Sequence, residues 1–385
     1  MVLLASVLKP VDDTRMREKF AETLLSRPQS QVHVAGRSPG SDLKTGTAKE
    51  FSCVTQHSIF QGSRLSLGRL TAQWRYGRLL QRLRPAVVVV HAPELLPLTL
   101  LWQAVGTGRR FLYDIRENYA LNVSTQRVYK GCVRRGLAAG LRWMESLAAR
   151  RAAGIILAEA SYAEELPFLS QLPPSRVLVL ENKYQPLPGE LLPQQPQPLP
   201  PATEPLRLLY SGTISELNGV WEAIAFADQL HQAWPGGTHL TIIGFCQQPD
   251  LLRQLRAKVA AHPARLTLVG GAEPVPHAHI VAAITRSHLG LLPYQPHPST
   301  ERCRPTKLFE YLAHGLPVIS SPNRLWLELL SKHGAGWQLD FARPIDSEAV
   351  VTRLQTSNFY PSGLPTDVLW AAEGKKLWLL LDSLV

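Results

Sequence analysis

The stretch RPTKLFEYLAHGLPVISSP, residues 304–322, reads as a short helix that feeds a buried strand. Pro305 suits a first helical turn, and Gly315 followed by Pro317 ends the helix. Leu308, Phe309, Tyr311 and Leu312 recur at helical spacing and bury one stripe, whereas Lys307 and Glu310, three apart, share another face. The run LPVISS then has the continuous hydrophobicity of a strand covered on both sides. A charged pair therefore sits in a helix that runs into a parallel strand. Taken locally, that pair is either a solvated ion pair on an amphipathic helix or a grip on a ligand.

Working outward, the same strand and helix rhythm fills both halves of the 385-residue chain, a length for two or three domains. In the first half, MVLLASVL is followed by a helical pattern over about 14–26, then QVHVAG, a less regular stretch, and a basic helical pattern over about 65–82. PAVVVVHA, LLPLTLLWQAVG and RFLYDI come next, then a long basic helical region over about 126–151, GIILAEA and RVLVLENKY. Apolar strands separated by helices require a parallel sheet covered on both faces. QPLPGELLPQQPQPLPPATEP, 185–205, is rich in Pro and Gln and reads as an extended, poorly ordered linker. Beyond it the rhythm restarts with LRLLYSG, helices over about 219–233, 249–260 and 278–286, and the strands HLTIIGF, RLTLVGG and LGLLPY. The expected architecture is two doubly wound, Rossmann-like α/β domains, 1–185 and 206–365, joined by a 186–205 linker. Such domains facing each other place both sets of strand carboxyl ends at a crevice, where open α/β sheets bind ligands.

Composition bounds the class of partner. Hydrophobic residues make up 45% and charged residues 18%, ordinary for a globular chain. The longest apolar stretches, around 85–90 and 95–102, are too short to span a bilayer, and MVLLASVLKP reads as a first buried strand rather than a signal peptide. The four cysteines, Cys53, Cys132, Cys246 and Cys303, lie far apart, which argues for a reducing cytoplasm and against a zinc site or a disulfide framework. The net charge of +11 is uneven: residues 1–185 carry 26 Lys plus Arg against 14 Asp plus Glu, and residues 186–385 carry 15 against 16. Such asymmetry marks an anionic partner for the first half.

Several blocks together resemble a known family. RPTKLFEYLAHGLPVISSP is similar to the C-terminal-domain signature of retaining GT-B glycosyltransferases of family four. LLYSGTISELNGVWEAIAFADQL, 208–230, resembles that family's first C-domain strand, glycine turn and helix, and LYDIRENY, 112–119, its N-domain turn. RVLVLENKYQP resembles the strand and asparagine that close the N-domain, and VLWAAEGKKLWLLLDSL, 368–384, the terminal helix that crosses back to it. The resemblance implies that the helix N-terminus with Lys307 and Arg304 meets a donor diphosphate while Glu310 accepts from the ribose hydroxyls. It further implies a donor site of Gly212, Thr213, Asn218, Gly219, Arg304, Pro305, Thr306, Lys307 and Glu310, and a catalytic set of Glu310, Lys307, Arg302, Arg116 and His91. Asp12, Asp13, Arg15, Asp114 and Glu117 fall on the acceptor side.

The chain departs from the pattern at three points. Arg302 occupies the position where many relatives carry a sugar-contacting glutamate, Asn218 the position of a phosphate-clamping lysine, and Arg116 the position of a histidine. Arg302, Arg304 and Lys307 are the nearest replacements for the missing positive charge. Each singled-out residue also has a plainer role available: Thr14 as an N-cap with Asp12 and Asp13 beside it, His91 as a structural strand-end histidine, Arg116 as an ion-pair partner.

The expected protein is a cytoplasmic glycosyltransferase, metal-independent and without cofactor, that moves a sugar from a nucleotide diphosphate donor to a glycan or lipid-linked acceptor with retention. A degenerate relative that binds glycans or partners without turnover is the alternative. A nicotinamide oxidoreductase is disfavoured because no G-x-G-x-x-G follows any expected strand, and nucleic-acid binding lacks a motif. Arg127, Lys130, Arg134, Arg135, Arg142 and Trp143, with WRYGRLLQRLR at 74–84, are expected to form a basic, partly aromatic face for an anionic membrane surface.

Overall fold

A computed structural model describes residues 1–28, 30–38, 54–62, 66, 68–125 and 131–384. The chain divides into two units, Met1–Gln185 with Trp370–Val385, and Pro186–Leu369.

The first unit is built on seven parallel strands: β1 (Val2–Pro10), β2 (Val32–Arg37), β3 (Val54–Phe60), β4 (Val87–Val90), β5 (Arg110–Ile115), β6 (Gly154–Leu157) and β7 (Val177–Val179). Their order is β3-β2-β1-β4-β5-β6-β7, so the chain reverses its direction of growth between β1 and β4. Successive strand residues alternate between two cores. Leu3, Ala5, Val88, Val90, Phe111, Tyr113 and Ile155 face one, and Leu4, Val89, Leu112 and Ile156 face the other. This two-sided burial is why the strands read as unbroken apolar runs. The second core is closed by the terminal helix Trp370–Asp382, whose Trp370 indole donates to Lys19 O at 3.2 Å and Thr23 Oγ1 at 2.9 Å.

The second unit repeats the plan with six parallel strands: β8 (Leu206–Thr213), β9 (Thr238–Phe245), β10 (Leu266–Gly271), β11 (Leu289–Leu292), β12 (Val318–Ser320) and β13 (Gly336–Gln338), in the order β10-β9-β8-β11-β12-β13. Here the reversal falls between β8 and β11.

Most expected elements are in place, among them the helices Val220–Ala233, Pro249–Ala261, His277–Thr285 and Thr306–Ala313. The differences have local causes. β3 lies in the stretch read as irregular, because as an edge strand it keeps Thr55, Gln56 and Ser58 exposed and lacks an apolar run. The helix expected over 14–26 begins as a π-helical turn, Arg15–Ala21, before Glu22–Leu25, and Asp13 rather than Thr14 caps it by accepting from Met16 N at 3.1 Å. The basic helix read over 126–151 is described as Gly131–Arg151; residues 126–130, with Arg127 and Lys130, lie outside the described residues, as does Cys53. Helices Arg324–His333 and Ser347–Thr356 have no counterpart in the reading, although Asn323, Gly334 and Asp346 cap them as such residues do.

The Pro/Gln-rich segment is not loose. It has no helix or strand, yet Leu199 and Ala202 pack on the core of the second unit, Gln197 N donates to Gly315 O at 2.9 Å, and Glu190 meets buried His314 at 2.9 Å. Its prolines prescribe an extended path, and the path is pinned. No helix among the described residues is long and apolar enough to cross a membrane.

Candidate functional site

In the second unit the loop after β8 is shaped by glycine. Gly212 sits at φ +92°, and a Cβ there would lie 3.3 Å from Lys307 Cε. Gly219 has φ +78° and opens the helix Val220–Ala233, where a Cβ would meet Pro293 O at 1.7 Å, so only glycine fits. Between them Asn218 turns inward: its side-chain amide donates to Thr213 O at 3.0 Å and its backbone N to Ser215 Oγ at 3.1 Å. Asn218 thus closes the loop, and Thr213 stands exposed at its rim.

The helix Thr306–Ala313 is buried almost all round, including Lys307, which is only 8% exposed. This corrects the expectation of a charged face opposite an apolar stripe. The Lys307 ammonium lies 4.9 Å from the Tyr210 ring centroid and 5.1 Å from that of Tyr294, and its Nζ has no hydrogen-bond partner among the described residues. Burial pushes its pKa down to about 8, while Glu310 pulls the other way. Glu310, one turn on, meets His277 Nε2 at 3.2 Å. Tyr311 supports the arrangement through a 2.8 Å hydrogen bond between its hydroxyl and that of Ser211. The structure thus joins Gly212, Lys307 and Glu310, drawn from a strand end and a helix roughly one hundred residues apart. Pro305 stands at the N-cap position and Thr306 opens the helix. Arg304 is turned to Glu328 at 3.7 Å and Leu325 O at 3.5 Å, and Arg302 is exposed.

In the first unit three strand ends converge. Asp114, on β5, is fully buried and takes a forked pair of hydrogen bonds from Arg15, Nε to Oδ2 at 2.8 Å and Nη2 to Oδ1 at 2.6 Å. Arg15 spends a further N–H on Leu180 O at 2.9 Å and Asn182 Oδ1 at 3.2 Å. His91, at the end of β4, places Nδ1 2.7 Å from Asp114 Oδ2. Burial acts to raise the Asp114 pKa, but Arg15 and His91 overcome it and hold the carboxyl well below the usual range. A carboxylate can only accept, so His91 Nδ1 carries the proton. Burial pushes the His91 pKa down and keeps the ring neutral, which leaves Nε2 a buried lone pair with no partner among the described residues.

Arg116 forms its own fork with Asp13, at 2.7 and 3.1 Å. Glu117 accepts from Asn122 at 2.9 Å and lies 3.6 Å from Lys9, and Asp12 is exposed without a partner in the cluster. Sequence reading missed Tyr210, Tyr294 and His277. Tyr210 lies in the last four residues of β8, and Tyr294 and His277 follow the carboxyl ends of β11 and β10, the one signal by which they were accessible. Arg142, expected on the basic face, instead reaches Glu145 at 3.7 Å and Asn118 Oδ1 at 2.8 Å, and Tyr76 is core. Among the described residues no three His, Cys, Asp or Glu side chains group to hold a metal ion.

Residues 26–183 match the model of the glycosyl transferase 4-like domain. No curated protein sequence matches the chain. Solved structures do match over its length. Sucrose-phosphate synthase from Thermosynechococcus elongatus is 15% identical with a TM-score of 0.63, covering 100% of this chain and 98% of its own. The lipopolysaccharide outer core galactosyltransferase WaaB, in its apo form, is 14% identical with a TM-score of 0.59 and full coverage of both chains, 100% and 100%. HepE from Anabaena, in complex with UDP and glucose, is 12% identical with a TM-score of 0.60, covering 99% of each chain. The two units have the GT-B fold of these proteins.

Proposed function

We propose that the chain is a GT-B glycosyltransferase whose second unit binds a nucleotide diphosphate sugar while its first unit, which carries the glycosyl transferase 4-like match, serves the acceptor, a glycan or a lipid-linked sugar. The observation that carries this reading is Lys307, a buried ammonium with no hydrogen-bonding acceptor among the described residues, set against the Gly212 turn and one helical turn before Glu310. A diphosphate supplies the missing acceptor. The N–H groups at the start of the Thr306–Ala313 helix add to the anion site, and Glu310 accepts from the ribose hydroxyls. The separation of Lys307 and Glu310, about 4.5 Å along the helix axis, suits the reach from phosphate to ribose.

In the transfer the bond from the sugar's anomeric carbon to the diphosphate breaks, and a bond to the acceptor oxygen forms on the same face. The acceptor's proton passes to the departing phosphate oxygen, so neither a metal nor a cofactor is required. The protein then contributes positioning and stabilises the charge that grows on the leaving group. His91 Nε2 is a ready acceptor for a sugar hydroxyl, and the Arg15–Asp114 fork fixes its orientation. HepE, solved with UDP and glucose, supports a sugar nucleotide as the donor class.

The same reading places the chain in the cytoplasm, peripheral to an anionic membrane face. Trp74, Val133, Leu137 and Trp143 are exposed on helices that also carry Arg75, Arg78, Arg134 and Arg135. The decisive experiment incubates the protein with a panel of sugar nucleotides and measures release of nucleoside diphosphate with and without candidate acceptors. Acceptor-dependent release from one donor is expected. Binding of a sugar nucleotide without release from any member of the panel overturns the catalytic reading.

A further inference from the structure

The edge of the first unit carries a groove that the donor and acceptor clusters do not use. It lies between β3 and the helix Gly68–Leu83, encloses about 790 Å³, and is lined by Gln56, His57, Trp74, Arg75, Arg78 and Arg82 among others. The helix folds this way because Ala72, Tyr76, Leu79 and Leu80 are buried, which turns Trp74, Arg75, Arg78 and Arg82 outward.

Three features of the groove point one way. Arg75, Arg78 and Arg82 stand at successive three- and four-residue spacings, where like charges repel, and none has a carboxylate within ion-pair distance among the described residues. Arg69 on the same helix does have one, Glu94 at 3.8 Å. Moreover, Arg82 donates to His57 Nδ1 at 3.3 Å, and His57 Nε2 lies 3.0 Å from His33 Nδ1. With Nδ1 accepting from a guanidinium, His57 is neutral and donates through Nε2, so the pair of rings adds no charge of its own. Finally, Arg78 stacks 4.4 Å from the Trp74 ring centroid, which fixes one guanidinium plane and leaves its N–H edge open. Repelling, half-oriented guanidiniums with no counter-charge among the described residues add little to the fold. They match a bound polyanion.

We propose that this groove is a second anion site, separate from the Lys307 cluster, which takes a phosphate or pyrophosphate group through Arg75, Arg78 and Arg82 with Trp74 against the attached portion of the ligand. The group can belong to a soluble phosphorylated molecule or to a lipid headgroup, and the recognition chemistry is the same in both.

The test is arginine modification by phenylglyoxal on the full chain, mapped by peptide mass, in the presence of inorganic pyrophosphate, of phosphatidylcholine vesicles, or of vesicles mixing phosphatidylcholine with phosphatidylglycerol. Protection of Arg75, Arg78 and Arg82, with exposed Arg324 in the second unit still reactive, is expected. Protection by pyrophosphate assigns a soluble phosphate ligand, and protection by the mixed vesicles alone assigns a headgroup. The triple variant Arg75→Gln, Arg78→Gln, Arg82→Gln, altered only at exposed positions, should bind the protecting probe at least about tenfold more weakly. The proposal fails if no probe protects these arginines beyond Arg324, or if the triple variant binds the probe as tightly as the wild type.

Discussion

Arg15 in the first unit and Lys307 in the second are both cations withdrawn from water, 1% and 8% exposed, and the fold treats them in opposite ways. Arg15 is compensated fully: a buried carboxylate takes two of its N–H groups, and a carbonyl and an amide oxygen take more. Among the described residues Lys307 has only the faces of Tyr210 and Tyr294 and the carboxylate of Glu310, with no hydrogen-bond partner. A satisfied buried charge holds other groups in place, here the ring of His91. An unsatisfied one retains a free energy of desolvation that an arriving anion can recover. The difference distinguishes a buried charge that the fold compensates from one that it does not, without reference to sequence similarity.

The comparison breaks most directly at Arg15. Arg15→Ala leaves Asp114 buried and uncompensated, and the first unit should lose about 3–5 kcal/mol in urea unfolding. Adding Asp114→Asn should restore part of it, since the uncompensated charge is then gone. If Lys307→Ala proves equally destabilising, the two cations do the same work and the contrast is wrong.

Lys307→Ala should instead leave stability nearly unchanged and lower turnover about a hundredfold, more than it weakens nucleotide binding, because the leaving-group charge grows in the transition state. Turnover and nucleotide affinity, measured side by side, decide this. Arg302→Ala and Arg304→Ala should show smaller losses, Arg304 being engaged with Glu328.

Glu310→Ala should weaken nucleotide affinity by roughly 1.5–3 kcal/mol while the helix stays folded on Leu308, Phe309 and Leu312. Unchanged affinity would remove Glu310 from the donor site.

A pH series sharpens the contrast further. Burial depresses the folded-state pKa of Lys307 to about 8 from its ordinary 10.5. Between those values the unfolded chain binds a proton that the folded chain does not, so this lysine makes stability rise with pH across the window, and below it the full penalty of the buried charge is present. Affinity for a nucleoside diphosphate should run the other way and fall as pH rises through about 8, because the neutral amine no longer attracts the anion. Lys307→Met should show neither trend.

The smallest effect is expected at His277, which contacts Glu310 through Nε2. His277→Ala should change nucleotide affinity by about 1 kcal/mol or less. A larger loss would make the histidine a ligand in its own right.

Local order in the chain is what the sequence by itself determined. The alternation of apolar runs and helical stripes, the helix at Thr306–Ala313 and the strand it feeds were legible because periodicity and capping act within a turn or two of chain, whereas the returning terminal helix was expected only from the family resemblance. β3 was not legible, since an edge strand need not be apolar. Nor were the partnerships that define the site. Arg15 meets Asp114 across 99 residues because β1, β4 and β5 are neighbours in the sheet and their carboxyl ends bring Arg15, His91 and Asp114 together. Locally Lys307 read as either one half of a solvated ion pair or a grip on a ligand, and only the fold shows that Tyr210, near the end of β8, and Tyr294, just past neighbouring β11, enclose it. Residue type and spacing announce that a charge is present. Whether that charge is compensated or left waiting is settled by strand order, since only the sheet decides which distant side chains share its interior.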